Sequence, residues 1–208
     1  PLIFFLVSCG GGGSELNPIT PSDSTHTYIP DDNFELALIN KGYDDYLDNY
    51  VVTSNLQTIT VLDIQNSNIS DLTGIEDFQN LIDLYCQDNQ IVSLDLSQNS
   101  KLEDLWCDNN ELTDLNLGSY SNLEYLACSY NNLTSLDLRT HTNLRLLGCA
   151  NNNLNYLDIR TSLNYEMVAF SSVNNPNLYC IHVNHAYAYT HHFSDQIDPH
   201  HYFSESCP

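Results

Sequence analysis

Cysteines, histidines, carboxylates and one tryptophan are the residues in this chain that could do chemistry. Of 7 Cys in 208 residues, Cys86, Cys107, Cys128 and Cys149 recur every twenty-one positions. Converging thiolates would suit zinc, but zinc needs tetrahedral closure and a regular row supplies none. Six of the 8 His fall between His182 and His201. His182-x-x-His185 and the pairs His191-His192 and His200-His201 could ligate zinc or copper. A polar, solvated segment is the preferred reading of them, and no metal or other cofactor is expected. Asp83 and Asp104 share one repeat position, as a glycosidase pair might, but nothing marks a closing cleft or a raised pKa. The chain carries no nucleophile elbow, Gly-rich phosphate loop or zincin motif. Trp106 is the only Trp, and it stands among acids.

The elements that position these residues are four rows of equal length. They are LIDLYCQDNQIVSLDLSQNSK from Leu81, LEDLWCDNNELTDLNLGSYSN from Leu102, LEYLACSYNNLTSLDLRTHTN from Leu123 and LRLLGCANNNLNYLDIRTSLN from Leu144. Each carries L-x-x-L-x-C-x-x-N-x-[LI]-x-x-L-x-[LI]. The period lies within the roughly 20–29 residues of leucine-rich repeats, whose signature this resembles. Alternation along x-Leu-x-Cys-x turns Leu and Cys inward and their neighbours outward. One row cannot bury its own apolar side; stacked rows can, as a parallel sheet. The ninth-position Asn (Asn89, Asn110, Asn131, Asn152) can satisfy backbone groups where the chain leaves the strand. The expected fold is a capped, curved solenoid of about six coils. It has a parallel sheet on the concave face and short or irregular strands on the convex side.

Stacking also bears on the thiols. Neighbouring coils lie about 4.8 Å apart with parallel side chains, whereas bonded Cys need Cβ atoms about 3.8 Å apart in a twisted geometry. The four repeat cysteines therefore read as small buried hydrophobes. Cys180 and Cys207 flank the C-terminal segment and are a plausible disulfide in an exported protein.

The chain divides into a signal-peptide remnant (1–8), a lipidated Cys9 with a flexible linker (9–27), an N-terminal cap (28–58), repeats (59–178) and a C-terminal cap (179–208). Leu2 to Val7 reads as the end of an apolar signal region. Leu6-Val7-Ser8-Cys9 resembles a bacterial lipobox, and Gly10 to Gly13 a tether. Asp31 before Phe34, with Lys41-Gly42 after Ile39, predicts a short helix. The stretch from Tyr28 to Leu81 resembles the cap and first repeat of internalin-like leucine-rich-repeat proteins of Bacteroidota, flavobacterial in type. Residues 175–208 resemble that family's C-terminal cap, so the resemblance spans residues 28–208. The last coil reads as Val168 and Phe170 inward, with Phe170 replacing Cys, Val173 standing where Asn belongs, and Met167, Ala169 and Ser171 outward.

Twenty-seven acids against five bases give a net charge of −22. Such a field repels nucleic acid and anionic lipid, and attracts cations or basic proteins. Most of these acids solvate the surface. Among outward residues, Asp83, Tyr85, Asp104, Trp106, Asp108 and Tyr125 combine an aromatic centre with an acidic rim, the composition of a binding hot spot. The fifth position reads Asp, Tyr, Trp, Ala, Gly, Ala along the sheet, and the rings of Tyr85 and Trp106 are expected about 4.8 Å apart. The resemblance implies non-enzymatic binding or adhesion at a bacterial cell surface. The protein would be attached to the outer membrane through lipid at Cys9. The expected ligand is a protein, basic by charge complementarity, or a surface glycan. A structural envelope role is the remaining alternative.

Overall fold

In the computed structural model the described residues are 25–119, 122–160 and 167–208. Cys9, the signal segment and most of the linker fall outside them. No helix of the described residues is long and apolar enough to cross a membrane.

The repeats form a right-through stack of short strands. On one face β3 (Val61–Asp63), β4 (Asp83–Tyr85), β6 (Asp104–Trp106), β8 (Tyr125–Ala127), β10 (Leu146–Gly148) and β12 (Ala169–Ser171) make a six-stranded parallel sheet. The return side holds β5 (Ser93–Asp95) paired with β7 (Asp114–Asn116). It continues with β9 (Ser135–Asp137), β11 (Tyr156–Asp158), β13 (Cys180–His182) and β14 (Tyr202–Ser204). Between the faces lies a continuous apolar core of the repeat leucines and isoleucines. This is the expected solenoid, and it follows from rows that can bury an apolar stripe only against the next row.

Two inward columns hold the coils in register. Cys86, Cys107, Cys128 and Cys149 are fully buried free thiols. Burial pushes Cys86 and Cys149 up to about 12, and Cys107 and Cys128 also well above the ordinary thiol value. The Asn column does the backbone work. Asn110 Nδ2 donates to the carbonyls of Cys86 (3.0 Å) and Cys107 (3.2 Å), while its Oδ1 accepts the Ile91 N–H at 3.0 Å. Asn131 and Asn152 repeat this pattern one coil further each time. Each amide thus ties its own turn to the preceding coil and leaves no carbonyl orphaned.

The last coil corrects the sequence reading. Leu146 pairs with Ala169, Leu147 with Phe170 and Gly148 with Ser171. Phe170 therefore occupies the Leu position rather than the Cys position. Ser172 takes the Cys place, and Asn175, not Val173, takes the Asn place. Asn175 Nδ2 donates to the Cys149 and Ser172 carbonyls, and its Oδ1 accepts the Leu154 N–H. Met167 is buried, whereas Val168 is exposed. The step from the fifth coil to the sixth, Leu147 to Phe170, is two residues longer than the three steps before it, so a strict count of twenty-one keeps the inward–outward alternation but lands two places off the Leu, Cys and Asn positions.

Before the first coil, α1 (Asp32–Asn40) lies between β1 (His26–Tyr28) and β2 (Tyr50–Val52), which pair antiparallel. Strand β1 begins inside the stretch read as linker. Thr27 is buried and its hydroxyl donates to Asp77 at 2.6 Å, which fixes the chain there. Asp31 caps α1 through the N–H groups of Asn33 and Phe34, and its other oxygen accepts from Ser70 and Asp71. Burial alone would raise its pKa, but these bonds hold it below the usual value. Gly74, at φ 100°, meets β1 so closely that a Cβ would lie 2.9 Å from the Tyr28 carbonyl oxygen.

At the other end α2 (Ala186–Phe193) and β14 lie against the last coil. Phe170, Tyr189, Phe193 and Phe203 form an aromatic cluster with centroids 5.4–5.8 Å apart. Cys180 and Cys207 are disulfide-bonded.

Candidate functional site

The six-stranded sheet presents its outward side chains in straight columns, because consecutive coils are in exact-residue register: Asp83 beside Asp104 beside Tyr125, and Tyr85 beside Trp106 beside Ala127. Five of the six residues singled out in the sequence thus sit on two adjoining columns. With the corrected last coil, the fifth-position column reads Asp63, Tyr85, Trp106, Ala127, Gly148, Ser171. Aromatic bulk in the second and third coils gives way to a floor of small residues. Gly148 is not forced by the backbone there: an added Cβ would find only Ser129 Oγ at 3.4 Å and Ala127 Cα at 3.9 Å.

Tyr85 and Trp106 do not stack at the strand spacing. Their centroids are 6.5 Å apart with planes tilted by 31°. Ring quadrupoles disfavour a face-to-face sandwich, so the rings splay although their Cα atoms are in register. Both are half-buried, Trp106 less exposed than its solitary place among acids implied. The pair forms a tilted, open-sided ledge.

The carboxylates divide into two kinds. Asp104 has no hydrogen bond from its side chain among the described residues. Partial burial, then the negative charges of Asp83, Glu124 and Glu103, push its pKa above the usual carboxylate range. A raised pKa was not foreseen from the sequence; partial burial is its first cause and the crowding of like charge its second. Burial and the same acids, Asp83 and Asp104 foremost, also raise Tyr85. Asp108 differs: its Oδ1 accepts the Ser129 N–H at 2.8 Å. Standing at the strand end, it caps a backbone donor of the next coil, so it serves the fold at least as much as any ligand. Burial still raises its pKa.

On the return sheet the register aligns Asp158, His182 and Ser204 on adjacent strands. His182 Nδ1 lies 3.7 Å from Asp158 Oδ2, beyond hydrogen-bond reach. Asp158 is fully buried and already accepts from Arg160 and the Tyr156 hydroxyl, while Ser204 Oγ accepts the Ser206 N–H. A proton relay needs His oriented by a carboxylate at about 2.6–3.2 Å, so this column is an ion-paired seam. Asp198, His200 and His201 form the grouping of potential ligands found among the described residues. The His201 ring is committed, however. Its Nδ1 accepts the Asp198 N–H, and Nε2 bonds the Asn175 carbonyl at 3.0 Å. A cation there would have to displace protein bonds.

The comparisons agree with this architecture. No family model matches the chain. Internalin J of Listeria monocytogenes serotype 4b (strain F2365) is 38% identical over 79 residues, which is 38% of this chain and 8% of that protein. The solved functional domain of Listeria monocytogenes internalin J, described as including a cysteine ladder, is 32% identical with a TM-score of 0.57. That match covers 79% of this chain and 39% of that one. An internalin, inlF, from the same species gives a TM-score of 0.57 at 23% identity over 85% of this chain and 56% of its own length. The chain thus spans a minor part of the internalin J it matches. Its repeat array is an internalin-like leucine-rich-repeat solenoid.

Proposed function

We propose that this chain is a non-enzymatic binding protein of a bacterial cell surface. Its six-stranded face takes a basic protein partner across the Tyr85–Trp106 ledge. One observation carries the reading: a half-buried aromatic pair lies directly beside two unneutralised acids, Asp83 and Asp104, in register on adjacent strands. A cation over the indole face gains from the ring quadrupole and relieves the carboxylate repulsion together. Tyr125 extends the acidic-aromatic column by one coil, and Asp108 contributes field rather than a free contact. Attachment to the outer membrane through lipid at Cys9 belongs to the same proposal, as does a flavobacterial origin.

Trp106 is the sole indole, so intrinsic fluorescence reports on the site itself. Titration with an oligo-arginine peptide should change its emission saturably, whereas a neutral gluco-oligosaccharide should not. Calorimetry should then show Trp106→Ala binding the peptide about thirtyfold or more weakly, as expected for a hot-spot aromatic. Equal affinity of the two proteins would remove the ledge as the binding site. A response to the oligosaccharide alone would transfer the site to a glycan.

A further inference from the structure

The eighth position of every coil is left-handed: φ is 53° at Asn66, 57° at Asp88, 53° at Asn109, 56° at Tyr130, 55° at Asn151 and 59° at Asn174. Five of these six are Asn or Asp, whose short polar side chains tolerate this conformation; a Tyr gains nothing there and its Cβ is strained. The backbone cannot relax at Tyr130. Its N–H donates to the Ala150 carbonyl at 3.0 Å, and its carbonyl accepts from Asn110 at 3.2 Å. Nor does its side chain support the fold. It is 58% exposed, and its hydroxyl and ring have no hydrogen-bond or aromatic partner among the described residues. Strain that packing does not explain is a pointer to function.

Its position fits that pointer. Tyr130 directly follows Ser129, whose N–H bonds Asp108. It therefore stands where the ligand-facing columns turn over the edge of the sheet, flanked along that edge by Asn109 and Asn151. We infer that Tyr130 is a second anchor of the binding surface, and that the partner is a folded basic protein that covers both the sheet face and this edge. The inference rests on the proposed function of the Tyr85–Trp106 ledge. A chain of net charge −22 complements a basic surface, and anchors on two faces call for a partner broader than a sugar or a short extended peptide.

The test uses Tyr130→Asn, which installs the residue that the other coils favour. Its unfolding midpoint should rise, because a strained residue is replaced and no packing is lost. A display library of one small helical scaffold with a randomised face, selected against the wild-type chain at physiological salt, supplies defined folded probes. Clones that compete with one another should be rich in Arg and Lys. They should lose about tenfold or more in affinity for Tyr130→Asn, and recover most of it with Tyr130→Phe. A lowered midpoint would show that Tyr130 has a structural task and overturn the inference. Clones weakened by Trp106→Ala but untouched by Tyr130→Asn would overturn it while leaving the ledge intact. Clones indifferent to both would overturn the ledge as well. A wild-type dimer that Tyr130→Asn converts to monomer would make the occupant a second copy, and likewise overturn the basic partner.

Discussion

Ser172→Cys should stabilise this protein, and the repeat itself supplies the reasoning. In four coils the sixth position is a buried Cys whose sulfur lies in the core. In the sixth coil it is Ser172, fully buried, with no hydrogen-bond partner for its hydroxyl. Its backbone keeps the ladder role: Cys149 N–H donates to Ser171, and Ser172 N–H donates to Gln196, where the C-terminal segment stands in for a seventh strand. An unpartnered buried hydroxyl costs about 1–3 kcal/mol on mutational scales. A thiol removes most of that cost and fills the column, but its larger sulfur adds some crowding. A net gain of about 1 kcal/mol is expected, or about 2–4 °C in the melting midpoint of a chain this size. The mirror substitution, Cys107→Ser, should lower stability by about 1–3 kcal/mol. Urea unfolding followed by far-ultraviolet dichroism measures both. If Ser172→Cys and Cys107→Ser both destabilise, the sixth-coil position is not equivalent to the four Cys positions, and the two-residue shift in register is wrong.

Four further outcomes are expected. The repeat thiols should resist an aromatic disulfide reagent at mildly alkaline pH in the native state, since burial raises all four well above the ordinary thiol value, and all four should react after unfolding; ready native labelling of Cys107 would refute the coil register. Asp83→Asn with Asp104→Asn should slow association with an oligo-arginine peptide and flatten its salt dependence, whereas Asp137→Asn on the return sheet should do neither; stopped-flow fluorescence decides. Burial lowers the pKa of both His141 and His201, so their contribution to stability is complete above the free-histidine value near 6.5 and is lost as pH falls toward their folded values; stability unchanged across that window would contradict neutral buried rings. Cys9→Ala should release the full-length protein from the membrane fraction, because each buried lipid CH₂ contributes about 0.8 kcal/mol; continued sedimentation with membranes would reject the lipid anchor.

The array was legible because its cause is local and strictly repeated. Leu84, Cys86 and Asn89 each do one job that every row must do again, so their spacing transmits the coil directly. Legibility failed where spacing changed. The longer fifth-to-sixth step hid Ser172 and Asn175 behind Phe170 and Val173. Helix α2 went unseen because AYAYTHHF has no side-chain N-cap to mark its start; its ring cluster with Phe170 and Phe203 exists only once the last coil is in place. At the site, alternation gave the outward columns. It could not give the tilt of Trp106, the capping of Ser129 by Asp108, or the rise in Asp104, all of which arise between coils. The strained eighth position left a trace that was readable: Asp88, Asn109 and Asn151 alternate with a lone Tyr130.

A solenoid separates what folds it from what it displays. Removing Asp104 from the ladder of hydrogen bonds would disturb nothing, since its carboxylate makes none among the described residues; the same holds for the Tyr130 side chain. Yet both carry costs. Asp104 faces Asp83, Glu103 and Glu124, and a carboxylate whose folded pKa is raised weakens the folded state above that pKa. Tyr130 holds a conformation better suited to Asn. Substitutions that relieve either are short and sterically simple, so the fold does not compel these residues. Both lie with the Tyr85–Trp106 ledge in the second to fourth coils, on one continuous stretch of surface. Costs that the core does not need, gathered beside aromatic side chains that the core does not use, are what a binding surface requires. A cationic partner would discharge the electrostatic part directly. Its affinity should therefore fall as pH drops through the raised pKa of Asp104, over the same range in which the unliganded fold gains from that protonation.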